Sequence, residues 1–455
     1  MRVVIFGTGK KYQRLRDKIK KDLEIVVFLD NDSSKWGHKL DGVEIVSPQE
    51  IYNYEYDFII VLSVYQTEMI TQLKSIGVSG KKIFDMHHIE KICQCEPAQY
   101  YGKLSIDNTK KKILIYSHAL TSTGAQNVLY IAIKVLKKKN YDLVVVSKID
   151  GALRYHIQEL DIPVILMRDS YFEEKEFKRL IHWADKIIVN TLLLYYVIED
   201  LVNCNKPVIW WIHETGLLQE LDKDKFIHIF ESKNIFMYAV SPLVKRKIIQ
   251  KTSKDIIVGE LKYGLPFYRS ILKNAFQQEK IIFAIIGAID KIKGQDIFLR
   301  AVESLSDDYQ KKAEFLIVGR GELWTEELKQ LGNFPSVKLI GEIENQKMPE
   351  LYNQIDVVVC CSRLEAMSVV ITEGCMTKRL VIVSDVAGIA DFITNRKNGL
   401  IFKSENIEEL AELMKWTIDH REQARQMGSA AKEIYEKYFS MEIFEKNLLS
   451  AIEEK

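Results

Sequence analysis

Two glutamates, Glu365 and Glu373, stand with seven residues between them in the stretch "CCSRLEAMSVVITEGCMTKRLVIVSD", which runs from Cys360 to Asp385. The first follows the apolar run "DVVVCC", the pattern of a buried strand. The second falls in what reads as a helix. A helix starting near Met367 exposes unpaired backbone N–H groups and the positive end of its dipole, a ready site for a pyrophosphate. Eight residue steps along a helix cover about 12 Å. A nucleotide sugar laid across a helix start has that scale, with sugar at one end, diphosphate in the middle and ribose at the other. Carboxylates suit vicinal hydroxyls, because each oxygen accepts hydrogen bonds. Glutamates at this spacing are also common on solvated helices. The buried strand ahead of them favours a site, because open α/β sheets bind ligands at the carboxyl ends of their strands.

A second anion-binding element is written in "GAIDKIKGQDIFLRA". Gly287 ends a strand, and Lys291, Lys293 and Gly294 lie in the loop that follows. Beside a phosphate-binding helix start, those lysines would neutralise the same diphosphate. Upstream, "VIWWIHETGLL" ends a strand with His213 and Glu214. A lone histidine is more often structural than catalytic, but the end of a parallel strand is where ligand contacts gather. Trp210 and Trp211 read as core or cleft wall.

These residues need strands and helices to hold them, and the chain supplies three similar openings: "MRVVIFGTGK", "KILIYSHALTSTG" and "KIIFAIIGAIDKIKG". Each is a short β-branched run, then a loop with glycine, then a helical pattern. The runs are too short and too solid for amphipathic helices and read as buried parallel strands. Each opens an α/β region. The chain therefore divides into residues 1–96, a linker over 97–110, regions over 111–272 and 273–435, and a terminal helix over 436–455. In the first region Gly7, Gly9 and Asp30 suggest a dinucleotide fingerprint, but Tyr12 occupies the place of its third glycine.

Composition narrows the function classes. The 455 residues are 47% hydrophobic, enough for several cores. Lys+Arg total 64 against 63 Asp+Glu, which leaves no footprint for nucleic acid. The six cysteines, Cys93, Cys95, Cys204, Cys360, Cys361 and Cys375, read as reduced buried thiols of a cytoplasmic protein. The opening "MRVVIFGTGK" reads as a strand and turn, so no signal peptide is expected there, and no apolar run approaches the roughly 20 residues of a spanning helix. The basic stretches "KKYQRLRDKIKK", "KVLKKKN" and "VKRKIIQK" leave room for peripheral contact with the inner face of a membrane.

From Lys111 onward the chain resembles the retaining family 4 glycosyltransferases of GT-B fold. The resemblance rests on four elements in order: "GAIDKIKGQD", "LIVGRGE", "SRLEAMSVVITEG" and "VSDVAGIADFITNRKNGLIF". It implies an α/β protein with two Rossmann-like lobes facing a cleft, preceded here by a third Rossmann-like domain. Residues 111–272 would be the acceptor lobe and 273–435 the nucleotide-sugar donor lobe. The terminal helix would cross back to the first of these lobes. The implied reaction moves a sugar from a nucleoside diphosphate sugar, UDP-linked by preference, to an acceptor hydroxyl of a glycan, glycolipid or glycoprotein. It needs no cofactor and no metal.

By position, Glu365 would contact the donor sugar and Glu373 the ribose. Backbone groups of Met367, Ser368 and Val369 would touch the phosphates. Lys293 would steady the leaving diphosphate, with Gly287 and Lys291 in the same loop. "LTSTGAQNVLYIA" resembles the family's other glycine loop, in which Gly124 brings backbone close to the donor phosphate. His213 matches a histidine near the sugar. The family often has an arginine where this chain has Ala288. Two alternatives stay open: a non-catalytic glycosyltransferase-like scaffold or partner subunit, and a nucleotide-sugar epimerase or oxidoreductase working through the first domain.

Overall fold

The computed structural model describes residues 2–85, 98–105, 107, 109–167, 174–202, 204–219, 228–252, 256–268, 273–321 and 334–453. Cys93, Cys95 and much of the 97–110 linker lie outside them. Two compact units emerge, residues 1–106 with 144–185, and residues 107–143 with 186–455.

In the first unit, strands β1 (Arg2–Phe6), β2 (Glu24–Leu29), β3 (Lys39–Leu40), β4 (Val43–Val46), β5 (Phe58–Val61) and β6 (Ile83–Asp85) form one sheet in the order β3-β4-β2-β1-β5-β6. All neighbours are parallel except the β3–β4 hairpin. Tyr12 is fully buried, edge-on to Phe28 at 4.8 Å, and its hydroxyl bonds Asp41 at 2.6 Å. The bulky residue in the third-glycine place is therefore a core residue, and it fills the space where helix and strand would otherwise close up. The unit also contains β7 (Gln99–Tyr101), which runs antiparallel to a later short strand, Val164–Leu166.

The second unit holds two sheets. The first runs Val258–Glu260, Ile235–Ala239, Val208–Ile212, Lys186–Asn190, Lys112–Ala119 across its width. The second has the order Val337–Gly341, Ala313–Val318, Ile281–Ile286, Val357–Cys360, Leu380–Ser384, Leu400–Phe402, parallel throughout. Strands with the sequences "IIFAII", "VVVC" and "LVIVS" are buried almost end to end, as parallel strands covered on both faces must be. The order reverses at Ile281–Ile286, whose neighbours are Ala313–Val318 on one side and Val357–Cys360 on the other. That reversal opens a crevice at the carboxyl ends of Ile281–Ile286 and Val357–Cys360.

The terminal helix Met441–Glu453 packs against the first of these sheets. Phe444 is 1% exposed and stacks on Trp211 at 6.0 Å. Gly264 gives it room, because a Cβ there would lie 2.5 Å from Phe444 Cβ. Glu445 pairs with Lys139, and the Tyr141 hydroxyl donates to Glu453 at 3.2 Å. Phe444→Ala should cost about 3–5 kcal/mol, the usual loss for a buried phenylalanine. Chemical denaturation checks this, and an unchanged midpoint would mean that the helix does not hold the sheet.

Candidate functional site

The crevice is shaped first by glycines. Gly287 ends Ile281–Ile286 at φ +147, and its loop closes at Gly294, φ +74. A Cβ on Gly294 would lie 2.2 Å from the Cys361 carbonyl oxygen, so only glycine lets the loop lie flat on the segment after Val357–Cys360. Inside the loop, the Lys293 N–H donates to Asp290 at 2.8 Å and the Gln295 amide donates to the Ala288 carbonyl at 2.8 Å. Arg363 fastens it from outside. Its N–H donates to the Ile292 carbonyl at 2.8 Å. Its guanidinium forks onto Asp296 at 2.9 and 2.7 Å and also reaches the Lys291 carbonyl at 2.6 Å. Lys291 is thus fixed by its backbone while its side chain is exposed.

Lys293 turns inward and pairs with Glu365. The two side chains are 33% and 13% exposed. Burial alone would pull the lysine pKa down, but the Glu365 carboxylate outweighs it and holds the ammonium above its ordinary value. The Glu365 carbonyl accepts the Gly388 N–H at 2.9 Å. The neighbouring Ala366 carbonyl accepts the Ser241 hydroxyl at 2.7 Å.

The helix behind Glu365 spans Val369–Met376, with Ser368 as its extended N-cap. It begins two residues after the start expected near Met367, because Ser368 is still at φ −112, ψ 109 and the first turn closes from Thr372 N–H to the Ser368 carbonyl at 3.1 Å. No side chain caps this start. Its leading N–H groups therefore remain available to an anion. Glu373 lies one turn further and accepts the Tyr268 hydroxyl at 2.6 Å and the Tyr352 hydroxyl at 2.9 Å. Burial raises its pKa, and the two phenol bonds offset only part of that.

Across the unit, His213 follows the strand Val208–Ile212. Its Nε2 is buried without a partner among the described residues, and its ring lies 4.6 Å from that of Trp211. Burial, helped by the nearby His118, pushes its pKa down to about 3, so it is neutral at pH 7. The adjoining Glu214 Oε2 accepts N–H groups from Leu192 at 2.8 Å and His213 at 3.1 Å. Burial still lifts its pKa to about 7.

Thr191, just before Leu192, has φ +83, a conformation a β-branched residue rarely takes. It is held by the Trp211 carbonyl at 2.8 Å, the Trp210 indole at 2.9 Å and His118 at 3.1 Å. The His213 loop reaches the Glu365 loop at Gly216, where a Cβ would lie 2.9 Å from Leu364 Cδ2. Gly124 starts the helix Gly124–Lys138 at the end of Lys112–Ala119, and a Cβ there would meet nothing within 4 Å.

The structure thus sets Lys293 against Glu365, with Gly287 beside the lysine stem, buried Met367 and then Ser368 and Val369 at the helix start that follows, and Glu373 one turn on, bonded to Tyr268 and Tyr352. It leaves the Lys291 side chain outside. Sequence reading missed Arg363, Tyr268, Tyr352, Ser241 and Glu214 as parts of the site. The first four act on partners 72, 105, 21 and 125 residues away, beyond any local pattern. Glu214 adjoins His213, and its pairing with the Leu192 N–H carries no sequence signal.

In the first unit, Asp30 accepts the Thr8 hydroxyl and N–H, the Asp32 N–H at 3.0 Å and Lys35 at 3.0 Å. Its carboxylate is held by protein groups at the position where a dinucleotide fold uses an acid for ribose. Among the described residues no cluster of three or more His, Cys, Asp or Glu is arranged to hold a metal, and no helix is long and apolar enough to cross a membrane.

Comparison with known proteins matches residues 269–434 to the family model "Glycosyl transferases group 1" and residues 109–257 to "Glycosyl-transferase family 4". Residues 1–84 match "C2185-like, N-terminal". An uncharacterized glycosyltransferase of Methanocaldococcus jannaschii is 26% identical over 66% of this chain and 84% of its own length. An α-1,4-N-acetyl-D-galactosaminyltransferase of Campylobacter jejuni, named for a diphosphoundecaprenol-linked acceptor, is 27% identical over 35% of this chain and 44% of its own. The crystal structure of HepE from Anabaena, solved with UDP and glucose, superposes with a TM-score of 0.65 at 16% identity, over 76% of this chain and all of that one.

Two outcomes follow from the site's geometry. Gly294→Ala should destabilise the protein by more than about 1 kcal/mol, because a left-handed residue gains a Cβ against a carbonyl, and thermal unfolding would show it. The second concerns Glu214 and His213. A carboxyl raised to about 7 binds protons more tightly when folded, so Glu214 withdraws stability as pH rises from its ordinary value of 4.5 toward 7. His213, lowered from 6.5 to about 3, has the opposite slope between those values. Glu214→Gln should therefore make stability rise more steeply between pH 5 and 6.5 than in wild type, read from denaturation midpoints at each pH. An unchanged slope would contradict the assignment.

Proposed function

We propose that this chain, a glycosyltransferase of GT-B fold by its two matched domains and its architecture, moves a sugar from a nucleoside diphosphate sugar to an acceptor hydroxyl with retention of configuration. The observation that carries the proposal is the Lys293–Glu365 pair set directly before an uncapped helix that bears Glu373. In this reading the donor diphosphate takes the N–H groups of Ser368 and Val369, with Met367 alongside, and draws Lys293 away from Glu365. Glu365 is then free to face the sugar and support positive charge at its anomeric carbon. Glu373 takes the ribose hydroxyls, with Tyr268 and Tyr352 yielding or sharing their bonds. Neutral His213 accepts or donates one hydrogen bond to the sugar.

The bond from anomeric carbon to phosphate oxygen breaks, and a bond to the acceptor oxygen forms on the same face. The acceptor proton goes to the departing phosphate, and the nucleoside diphosphate leaves. Lys293 offsets its growing charge, a role that needs no metal from the protein. UDP is the favoured nucleotide, in line with the UDP bound in the HepE structure. A lipid-linked or cell-surface glycan is the favoured acceptor, in line with the Campylobacter relative's name. Contact with the inner face of a membrane would suit such an acceptor. A second reading, a donor-binding partner without turnover, draws on Ala288, which is exposed at the place where the family this chain resembles often has arginine.

UDP-, GDP- and ADP-sugars should be compared by thermal shift without added metal. One of them should stabilise wild type by about 2.7 kcal/mol at a hundredfold excess over its Kd. Glu373→Ala should lose that gain, and Lys293→Gln should lower turnover by about 100-fold, the scale of one lost charge-stabilising group. Stabilisation without transfer would support the partner reading. Stabilisation only by NAD(H) or NADP(H) would overturn the proposal.

A further inference from the structure

A second pocket lies at the other end of the helix Val369–Met376, away from Glu365. Its walls come from three separated segments: Phe267 and Lys273 from the stretch before Ile281–Ile286, Lys378 just after the helix, and Arg425, Ser429 and Lys432 from the long helix Arg421–Tyr438. Four of these six side chains are cations. Arg425 is committed to Glu422 at 2.7 and 2.8 Å, and Lys432 to Glu436 at 2.7 Å. Lys273 and Lys378 have no carboxylate partner among the described residues. Both are exposed at the pocket mouth. Lys378 also keeps φ +59, a left-handed position where glycine or asparagine would be the easier choice.

A fifth cation stands behind the wall. Arg379 is 1% exposed, donates to the Lys273 carbonyl at 2.6 Å, and leaves its Nε without a partner among the described residues. Buried Asp356 offsets part of its charge. The helix end opposes an anion with about half a negative charge. Its last carbonyls are already taken, because Thr377, Lys378 and Arg379 donate their N–H groups to Glu373, Cys375 and Gly374 at 2.9, 3.1 and 2.9 Å. Two uncommitted lysines outweigh that half charge. Phe267, 49% exposed with Lys432 at 5.8 Å from its ring centre, offers an apolar face beside the cations.

We propose that this pocket binds the phosphate group of a phosphorylated molecule, at a place distinct from the Glu365 crevice. The two sites lie at opposite ends of the eight-residue helix Val369–Met376. The phosphate could belong to a small soluble molecule or to a lipid headgroup, and the experiment separates them.

Inorganic pyrophosphate is titrated by calorimetry into the full chain carrying Lys293→Gln, which removes the crevice's cation. Binding should persist there. Adding Lys273→Ser and Lys378→Ser should weaken it at least tenfold, with the melting temperature unchanged because both side chains are exposed. Cosedimentation with phosphatidylglycerol vesicles, against phosphatidylcholine vesicles, forms the second arm. Lysine-dependent binding to the anionic vesicles alone assigns the phosphate to a lipid; binding of pyrophosphate alone assigns a soluble ligand. Failure of both probes, or binding indifferent to the two serines, overturns the proposal.

Discussion

A single ion pair organises the crevice. Lys293 and Glu365 come from loops 72 residues apart and meet where water is mostly excluded. Removing one partner of such a pair strands the other, which costs far more than an exposed pair would. The surroundings are arranged to prevent that. Gly294 lets the lysine loop touch the Cys361 backbone, Arg363 ties the same loop to Asp296, and Gly388 and Ser241 hold the backbone on either side of the Glu365–Ala366 peptide. On the function proposed here, a diphosphate entering at the start of Val369–Met376 would offer the lysine a second anionic partner and release the glutamate. One contact would then serve both as the resting state of the proposed site and as the trigger of its loading.

Much of this was legible in the sequence. The glycine–lysine loop, the two glutamates and the buried run before them all rest on local spacing, which strand and helix periods turn into geometry. The parallel sheets were legible because solid β-branched runs have few other ways to be buried. What was illegible depends on long-range closure. Tyr268 and Tyr352 cap Glu373, and Arg363 fastens the lysine loop, yet nothing near these residues in the chain marks them. The helix start was placed two residues early because Met367 looks as helical as its successors; the extended Ser368 is what delays the first turn.

The first unit shows the converse. Gly7 and Asp30 keep places familiar from dinucleotide folds. The Gly7 turn is enforced, since a Cβ there would lie 2.6 Å from the Leu62 carbonyl oxygen. Yet Tyr12 fills the core and Asp30 spends its oxygens on Thr8, Asp32 and Lys35. A motif can persist as scaffolding when its polar groups find partners within the protein.

The most direct test is a crystal structure with UDP. Diphosphate oxygens should lie within hydrogen-bonding distance of Lys293 Nζ and of the Ser368 and Val369 N–H groups. The ribose should rest on Glu373, and Lys293 should be parted from Glu365. UDP bound elsewhere, or bound with the Lys293–Glu365 pair intact, would contradict the proposal.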